Sequence, residues 1–491
     1  MRDREERTVT TSTRPGPFRP SVLLRLPAVA LSCVLLSACT VGPDYRQPPP
    51  VHVGSGWSLP VAPEAGLEDY ADWWSTLRDP MLDRLIDAAL AENLELYQAA
   101  ARVDEARAVR DRVAGGSAPV VEAAASVSRH RQSENGALPI SAIRGMDTTQ
   151  TIHDIGFDAA WELDLFGRNR RALQGADARL HAAGLEAEGV RMRVVAEVAR
   201  TWFTAVGTGL EMQAQQAAVE AQRRSLELLR VRQTVGDASI ADVDVAQAQL
   251  SVAEATLPPI RARERAALLA LAVLVGEPPE RGLLLLEKES GLPALAEVPV
   301  GERADLLRRR PDVLVAERQL AAASADIGVA TAELFPKLTI GVGGGFQALD
   351  ADQLFDSGSS RFGLVPMVSW RIFDGGRVRA EIRAREAAEW RAALAYEQAV
   401  LGALGDAETA LGNYRAGLIS LERHQVAAEA SQRVYNHVAM RHATGTAALV
   451  EVLVAQRHLN EAQVAMIRAH TTAAVHLVAL YKALGGGWEA A

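Results

Sequence analysis

Only two cysteines occur in 491 residues, Cys33 and Cys39, both near the N-terminus. A disulfide framework is therefore excluded. Aromatic residues are scarce at 5% of the chain. Beyond the N-terminal region no run reaches the roughly eighteen consecutive apolar residues of a membrane-spanning helix. Basic residues fall short of acidic ones, 52 Lys and Arg against 61 Asp and Glu, for a formal charge of −9. Residues 1–38 hold six Arg and three acids, so the remainder carries −12. With no basic stripe, nucleic acid is not an expected partner. Catalytic signatures are missing too. The glycines of Gly341-Val342-Gly343-Gly344-Gly345 lack the Lys-Ser/Thr of a phosphate loop. His437 and His442 are five apart and His470 and His476 six apart, whereas helical zinc pairs favour a spacing of about four. No nucleophile–base grouping stands out, so neither enzyme chemistry nor a metal or other cofactor is expected.

What remains is an alanine-rich chain, 48% hydrophobic and 23% charged, a balance foreign both to disordered chains and to helical membrane proteins. Val22–Ala38 is apolar, preceded by Arg14 and Arg19 and broken by Arg25 and Pro27. It reads as a signal peptide, 1–38, with an n-region long enough to place the true start further in. The stretch ends Leu36-Ser37-Ala38-Cys39 and resembles a bacterial lipobox, which makes Cys39 the candidate lipidation site. An ordinary secreted protein with a chance cysteine is the alternative. Thr40 rather than Asp follows Cys39, which fits sorting to the outer membrane. Val41-Gly42-Pro43-Asp44-Tyr45 and Pro48-Pro49-Pro50 then read as an extended tether.

The chain repeats itself. Trp161 and Trp370, Gly167 and Gly376, Arg168 and Arg377, and Gly236 and Gly445 all stand 209 residues apart. An offset of 217 relates Ala99, Ala106, Ala108 and Pro119 to Ala316, Ala323, Ala325 and Pro336. So long a period indicates a duplicated half-chain rather than a solenoid. Each half begins helical, over 81–118 and 305–335, and Pro119 and Pro336 end those helices. The period then becomes two. Strands are expected at about 121–132, 152–164, 337–348 and 361–373, each long enough to cross a bilayer when tilted. Ile155, Phe157, Trp161, Ile340, Leu364 and Trp370 fall on a lipid face. Asp154, Asp158, Glu162, Lys337 and Arg371 fall on the opposite, lumenal face. A long helix follows each hairpin, from about Arg168 to Gly236 and from about Arg377 to Gly445, roughly 100 Å at 1.5 Å per residue. Leu394 and Leu401, then Leu404, Leu411 and Leu418, recur at a spacing of seven, and Gly402, Gly405 and Gly412 read as close-packing points. Returning helices run to about Leu274 and Leu484.

Four strands cannot close a membrane barrel, and an open sheet in lipid leaves its edge groups unsatisfied at several kcal/mol each. Two copies supply eight strands and three supply twelve. The small, polar inward residues Gly341, Gly343, Ser126 and Ser128 favour the wider, water-filled twelve-stranded pore.

The sequence also carries Trp74…Leu77-Arg78-Asp79-Pro80-Met81-Leu82, Trp161-Glu162-Leu163-Asp164-Leu165-Phe166-Gly167-Arg168, Leu307-Arg308-Arg309-Arg310-Pro311-Asp312-Val313 and Ala316-Glu317-Arg318. Phe335-Pro336, Phe373-Asp374-Gly375-Gly376-Arg377, Gly445-Thr446…Val452-Leu453 and Ala483-Leu484-Gly485-Gly486-Gly487-Trp488 follow. Across nearly the whole mature chain, these resemble the TolC-like outer membrane factors, in the lipoprotein branch serving resistance–nodulation–division efflux systems. The resemblance implies a mainly α protomer with four transmembrane strands, forming a homotrimer whose twelve-stranded barrel is continued by a periplasmic α-helical barrel. It implies an outer-membrane efflux channel that docks a periplasmic adaptor protein and an inner-membrane pump. Metal-ion efflux or type I protein secretion is the alternative. The implied organisation is a tether and equatorial segment at 39–80, a first repeat at 81–275, an equatorial segment at 276–304, a second repeat at 305–484 and a tail at 485–491. The implied adaptor-contacting tips are Val235, Gly236, Asp237, Ala238 and Ser239, with Thr444, Gly445, Thr446 and Ala447. Asp237, Asp242, Asp244 and Leu449 are the candidate gate. A non-conducting coiled-coil lipoprotein and an envelope hydrolase are the rival readings. The membrane-length hairpins count against the first and the missing catalytic constellation against the second.

Overall fold

The computed structural model describes residues 40–48, 54, 56–59, 70–133, 147–284 and 291–488; the signal segment and Cys39 lie outside them. The helices are α1 (Pro80–Glu92), α2 (Leu94–Gly115), α3 (Arg168–Thr234), α4 (Ile240–Leu274), α5 (Arg303–Arg309), α6 (Pro311–Ala332), α7 (Arg377–Ala443) and α8 (Leu449–Ala483). The strands are β1 (Val120–Arg131), β2 (Thr149–Leu163), β3 (Lys337–Ala348) and β4 (Ser360–Ser369). The duplication is written into these bounds. Helices α3 and α7 have 67 residues each, and α4 and α8 have 35 each.

Two expected helices are each split in two. Asn93 interrupts the first: its Oδ1 accepts from the Glu95 and Leu96 amides, and its Nδ2 donates to the Leu274 carbonyl at 2.7 Å. Such side-chain capping starts a new helix where the old one stops. In the second, Arg310 is extended ahead of Pro311, because proline disfavours a helical residue before it and is tolerated at a first helical position.

The chain divides into two compact units. One comprises the described residues of Met1–Pro43, Ala114–Ala172 and Ile327–Ile382. It holds an antiparallel sheet in the order β1-β2-β3-β4. The fourth strand is shorter than expected, ending at Ser369 rather than 373. Ser369 pairs with Lys337, the first residue of β3 after Pro336, so no ladder partner remains beyond it. β2 begins at Thr149, ahead of the expected 152, because Arg131 extends β1 far enough to pair with it.

The other unit comprises the described residues of Asp44–Val113, Leu173–Asp326 and Arg383–Ala491. Trp202, Phe203 and Val198 of α3 are buried in one core with Leu82 and Ile86 of α1 and Leu271 of α4. Val400, Leu404, Leu411 and Tyr414 of α7 form a second core with Leu477 and Leu480 of α8. The leucine heptad is thus divided. Leu404 and Leu411 are buried, whereas Leu394 and Leu401 are exposed. Within the single chain the three glycines expected to pack closely have no packing partner, since a methyl group added at Gly402, Gly405 or Gly412 would meet nothing within 4 Å. Close approach occurs instead at Gly207, where an added methyl would collide with Thr471 of α8. Helix α8 is long and apolar enough to cross a membrane by composition. Its Ala473, Ala474, Leu477, Val478 and Leu480 are nonetheless buried against the protein.

Candidate functional site

The first functional surface is the sheet. In an antiparallel ladder directly opposed residues share a face. Ile155 pairs with Ala125 and Phe346, Phe157 with Ala123 and Gly344, and Trp161 with Ile340. Ile340 pairs in turn with Pro366, and Val342 with Leu364. These residues form one continuous apolar face. It is exposed in the single chain, with Phe157 at 65% and Phe362 at 80% accessible. A monomeric soluble protein rarely exposes so large an apolar area, and here it spans all four strands.

The opposite face is polar. Arg361 bonds Asp154 at 2.6 Å, and Gln347 Nε2 donates to the same carboxylate at 2.9 Å. Glu122 pairs directly with Asp158, beside Gly343. Space on this face is tight, most of all at Gly156, where the neighbour is backbone. A methyl at Gly156 would press on Gly344, Gly345 and the Arg361 guanidinium, and one at Gly343 would press on the Asp158 carboxylate. Below the strands, Glu333 gathers Arg168 at 3.0 Å, Lys337 at 2.7 Å and Arg371 at 3.7 Å. Partial burial raises the Glu333 carboxyl pKa. Hydrogen bonds and charge from Lys337 and Arg168 outweigh it and hold the group below its ordinary value.

Both halves anchor the sheet alike. Trp161 Nε1 donates to the Ser117 carbonyl and Trp370 Nε1 to the Leu334 carbonyl, each at 3.0 Å. Phe166 and Phe335 stack at 4.7 Å. The start of the expected tether is not free. The Val41 amide donates to Phe166 O at 3.1 Å, while Arg171 donates from Nε to Val41 O and from Nη2 to Gly42 O. Gly42 has φ +86° and lies against Gly328, where no larger residue fits. Nothing in the sequence marked Arg171 for this role, because its partners are backbone carbonyls 130 residues away.

The second surface is the pair of turns between the long helices and the returning ones. Gly236 has φ +80° and Gly445 φ +75°. The Asp237 amide bonds Arg232 O and the Gly236 amide bonds Gln233 O; Thr446 and Gly445 repeat this to Arg441 O and His442 O. Both are Schellman turns, in which glycine adopts the left-handed conformation that other residues resist. The second turn is braced further, by Arg441 Nη2 to Thr446 O and by His442 Nδ1 against Ala447 O, each at 2.9 Å. Val235, Gly236, Asp237 and Ser239 are exposed, as are Thr444, Gly445 and Thr446; Ala238 and Ala447 are half-buried.

The four candidate gate residues are not equivalent. Asp242 closes a capping box, its Oδ2 accepting from Ser239 N at 2.9 Å and Ser239 Oγ at 2.7 Å. Leu449 is half-buried and packs against the apolar cluster that α3 and α4 form together. Asp237 and Asp244 are exposed. In the second half Ala448 has no side-chain oxygen, so only Glu451 contributes a cap, to the Ala448 amide at 3.0 Å.

The Ser239 hydroxyl and amide hold the Asp242 carboxyl below its ordinary value. A depressed carboxylate stabilises the fold above its unfolded pKa, near 4, and loses that contribution as pH falls through the folded value. Asp242→Asn is therefore expected to speed hydrogen exchange at the first turn of α4 at pH 7 and to abolish the acid dependence of that exchange. Unchanged exchange would show that the cap is inert.

The outer membrane efflux protein family model matches residues 85–277 and 303–486. Outer membrane protein OprJ of Pseudomonas aeruginosa is 30% identical over 476 residues, covering 95% of this chain and 97% of OprJ. The pyoverdine export outer membrane protein OpmQ of Pseudomonas putida is 30% identical over 466 residues, covering 94% and 97%. Among solved structures, the outer-membrane channel OprN superposes with a TM-score of 0.82 at 34% identity, over 92% of this chain and 100% of that one. Channels of this fold are trimers with a β domain and a helical barrel. An apolar-faced four-stranded sheet and paired long helical hairpins are the protomer of such a channel. This chain belongs to the outer membrane efflux protein family and is an outer-membrane channel component of a tripartite efflux pump.

Proposed function

We propose that three copies of this chain assemble around the polar face of the sheet, that Cys39 is acylated, and that the turns at 235–239 and 444–447 meet a periplasmic adaptor which couples the channel to an inner-membrane pump. The observation that carries this reading is the sheet itself. It has an apolar outer face and two open edges, β1 and β4, which each neighbouring copy can satisfy. The clamp on Val41 and Gly42 supports the lipid anchor. It holds the residues just after Cys39 beside the strand-to-helix junction, five residues beyond Trp161. Acyl chains leaving this point would enter the leaflet nearest the Trp161–Trp370 anchors, since tryptophan favours membrane interfaces. With Asp242 engaged as a cap and Leu449 in packing, Asp237 and Asp244 are the carboxylates left to narrow the aperture. The exported substrate class is small molecules.

Native mass spectrometry of the detergent-purified protein tests the assembly and the anchor together. The expected species is a threefold oligomer whose subunits begin at Cys39 and carry the added mass of acyl chains. A stable monomer would refute the closure argument, and an unmodified N-terminus would refute lipidation. Cys39→Ala is expected to remove the added mass without abolishing insertion, because the barrel is itself a membrane anchor.

A further inference from the structure

The outward face of the sheet is almost without charge, and its exceptions lie at one end. Of the residues sharing a face with Phe157, none on any strand is acidic. Two are arginines, Arg129 and Arg131, which pair with Thr151 and Thr149 at the far end of β1 and β2. His153, opposite Val127, is their neighbour on the same face. Arg129 and Arg131 are exposed; Arg131 already interacts within the chain, whereas Arg129 has no ion pair among the described residues. The acids of the sheet, Glu122, Asp154, Asp158 and Glu162, all stand on the other face.

Position along the strand says what these arginines meet. Trp161 marks the end of β2 that leads into α3, and Thr151, opposite Arg129, lies ten residues away. At about 3.4 Å per residue that is roughly 34 Å of strand, or roughly 24 Å across the membrane at a tilt near 45°. This is close to the apolar height of an outer-membrane barrel, about 25 Å. If Trp161 lies at one interface, Arg129 lies at the other, where the hydrocarbon ends and headgroups begin. At that level an outward guanidinium faces lipid, and its fork of N–H donors suits phosphate oxygens.

We propose that Arg129 and Arg131 form a binding site for the phosphate groups of outer-leaflet lipid, with the acyl chains lying against the apolar band beneath. The site rests on the reading of the Phe157 face as lipid-facing. It would hold the barrel at a fixed depth by gripping headgroups at the rim remote from Trp161, and each copy would carry one.

The test uses the intact assembled protein in detergent, with diphosphoryl lipid A, its dephosphorylated form and inorganic phosphate as probes. Retention of each lipid is read by native mass spectrometry for wild type and for Arg129→Gln/Arg131→Gln. Wild type is expected to keep diphosphoryl lipid A about tenfold or more better than the double variant, as loss of charge-assisted bonds implies. It should prefer the phosphorylated form, and millimolar inorganic phosphate should not displace it. Equal retention by the variant, or equal retention of the dephosphorylated lipid, overturns the proposal. Displacement by inorganic phosphate alone would make this a free-anion site and also overturns it. A double variant that falls apart into monomers would show that the arginines pair with loop acids of a neighbouring copy, such as Asp356, instead of lipid. Single-channel conductance separates the two readings. Unchanged conductance with unchanged lipid retention sinks the lipid site alone, whereas wild-type insertion of a Phe157→Arg channel sinks the face assignment beneath it.

Discussion

Phe157→Arg is expected to cost about 2–4 kcal/mol of folding stability in a bilayer, while Asp158→Arg should cost far less. The two positions are adjacent in β2 and differ only in the face they present. Phe157 is 65% accessible in the single chain and lies in the middle of the apolar face, flanked by Ala123 and Gly344. A guanidinium there has no polar neighbour on any strand, so it must drag water into the hydrocarbon or reach for a distant interface. At 158 the same side chain would lie beside Glu122, in a lumen filled with water. The measurement is a urea titration of refolding into lipid vesicles, with the assembled oligomer read on unheated gels. Comparable stabilities for the two variants would contradict the register and, with it, the assignment of the apolar face to lipid.

This contrast also shows what kind of information the sequence holds. Period-two alternation is local, so the sharing of one face by Ile155, Phe157, Trp161, Ile340, Leu364 and Trp370 could be read residue by residue. The pairing in the structure agrees for the five that lie in strands, whereas Trp370, with Arg371, falls just past the end of β4 and has no ladder partner. The same holds for the equal 67-residue helices, because a duplicated half-chain carries its own internal ruler. What could not be read depends on partners remote in sequence. Arg171 is one basic residue in a row of Arg168, Arg170 and Arg171, and nothing local says that it grips Val41 and Gly42. The glycines are ambiguous for a related reason. Gly402, Gly405 and Gly412 resemble a close-packing series, but whether a missing side chain makes room for a neighbour depends on which neighbour is there. For Gly207 it is Thr471, and for those three nothing in the chain comes within 4 Å. The candidate gate divided likewise. Asp242 spends its carboxylate on Ser239, a capping signature visible in Ser239-Ile240-Ala241-Asp242 itself, whereas the packing of Leu449 against the first hairpin is a long-range fact.

Gly445→Trp is expected to leave the barrel assembled while reducing cross-linking to the cognate adaptor about tenfold or more, and with it efflux. Gly445 closes α7 with φ +75°, its own amide bonding His442 O and the next bonding Arg441 O. An L-residue in this left-handed conformation costs roughly 1–2 kcal/mol, so tryptophan would shift the turn rather than unfold a 67-residue helix. The space around Gly445 is open within its own chain, with nothing inside 4 Å of an added methyl. A large side chain therefore meets no internal obstacle, and its bulk is presented to whatever binds the turn. Gly445→Ala separates the two effects, because alanine adds little volume but resists the left-handed region. It should cross-link nearly as well as wild type if surface shape matters, and as poorly as tryptophan if only backbone freedom matters. The same pair of substitutions at Gly236 should behave alike, since its turn carries the same two backbone bonds and ends a helix of the same length. Cross-linking yield, export of a dye substrate and entry of a large antibiotic such as vancomycin are read together. If Gly445→Trp cross-links, exports and excludes vancomycin as wild type does, the adaptor meets the channel elsewhere and these turns are structural ends only.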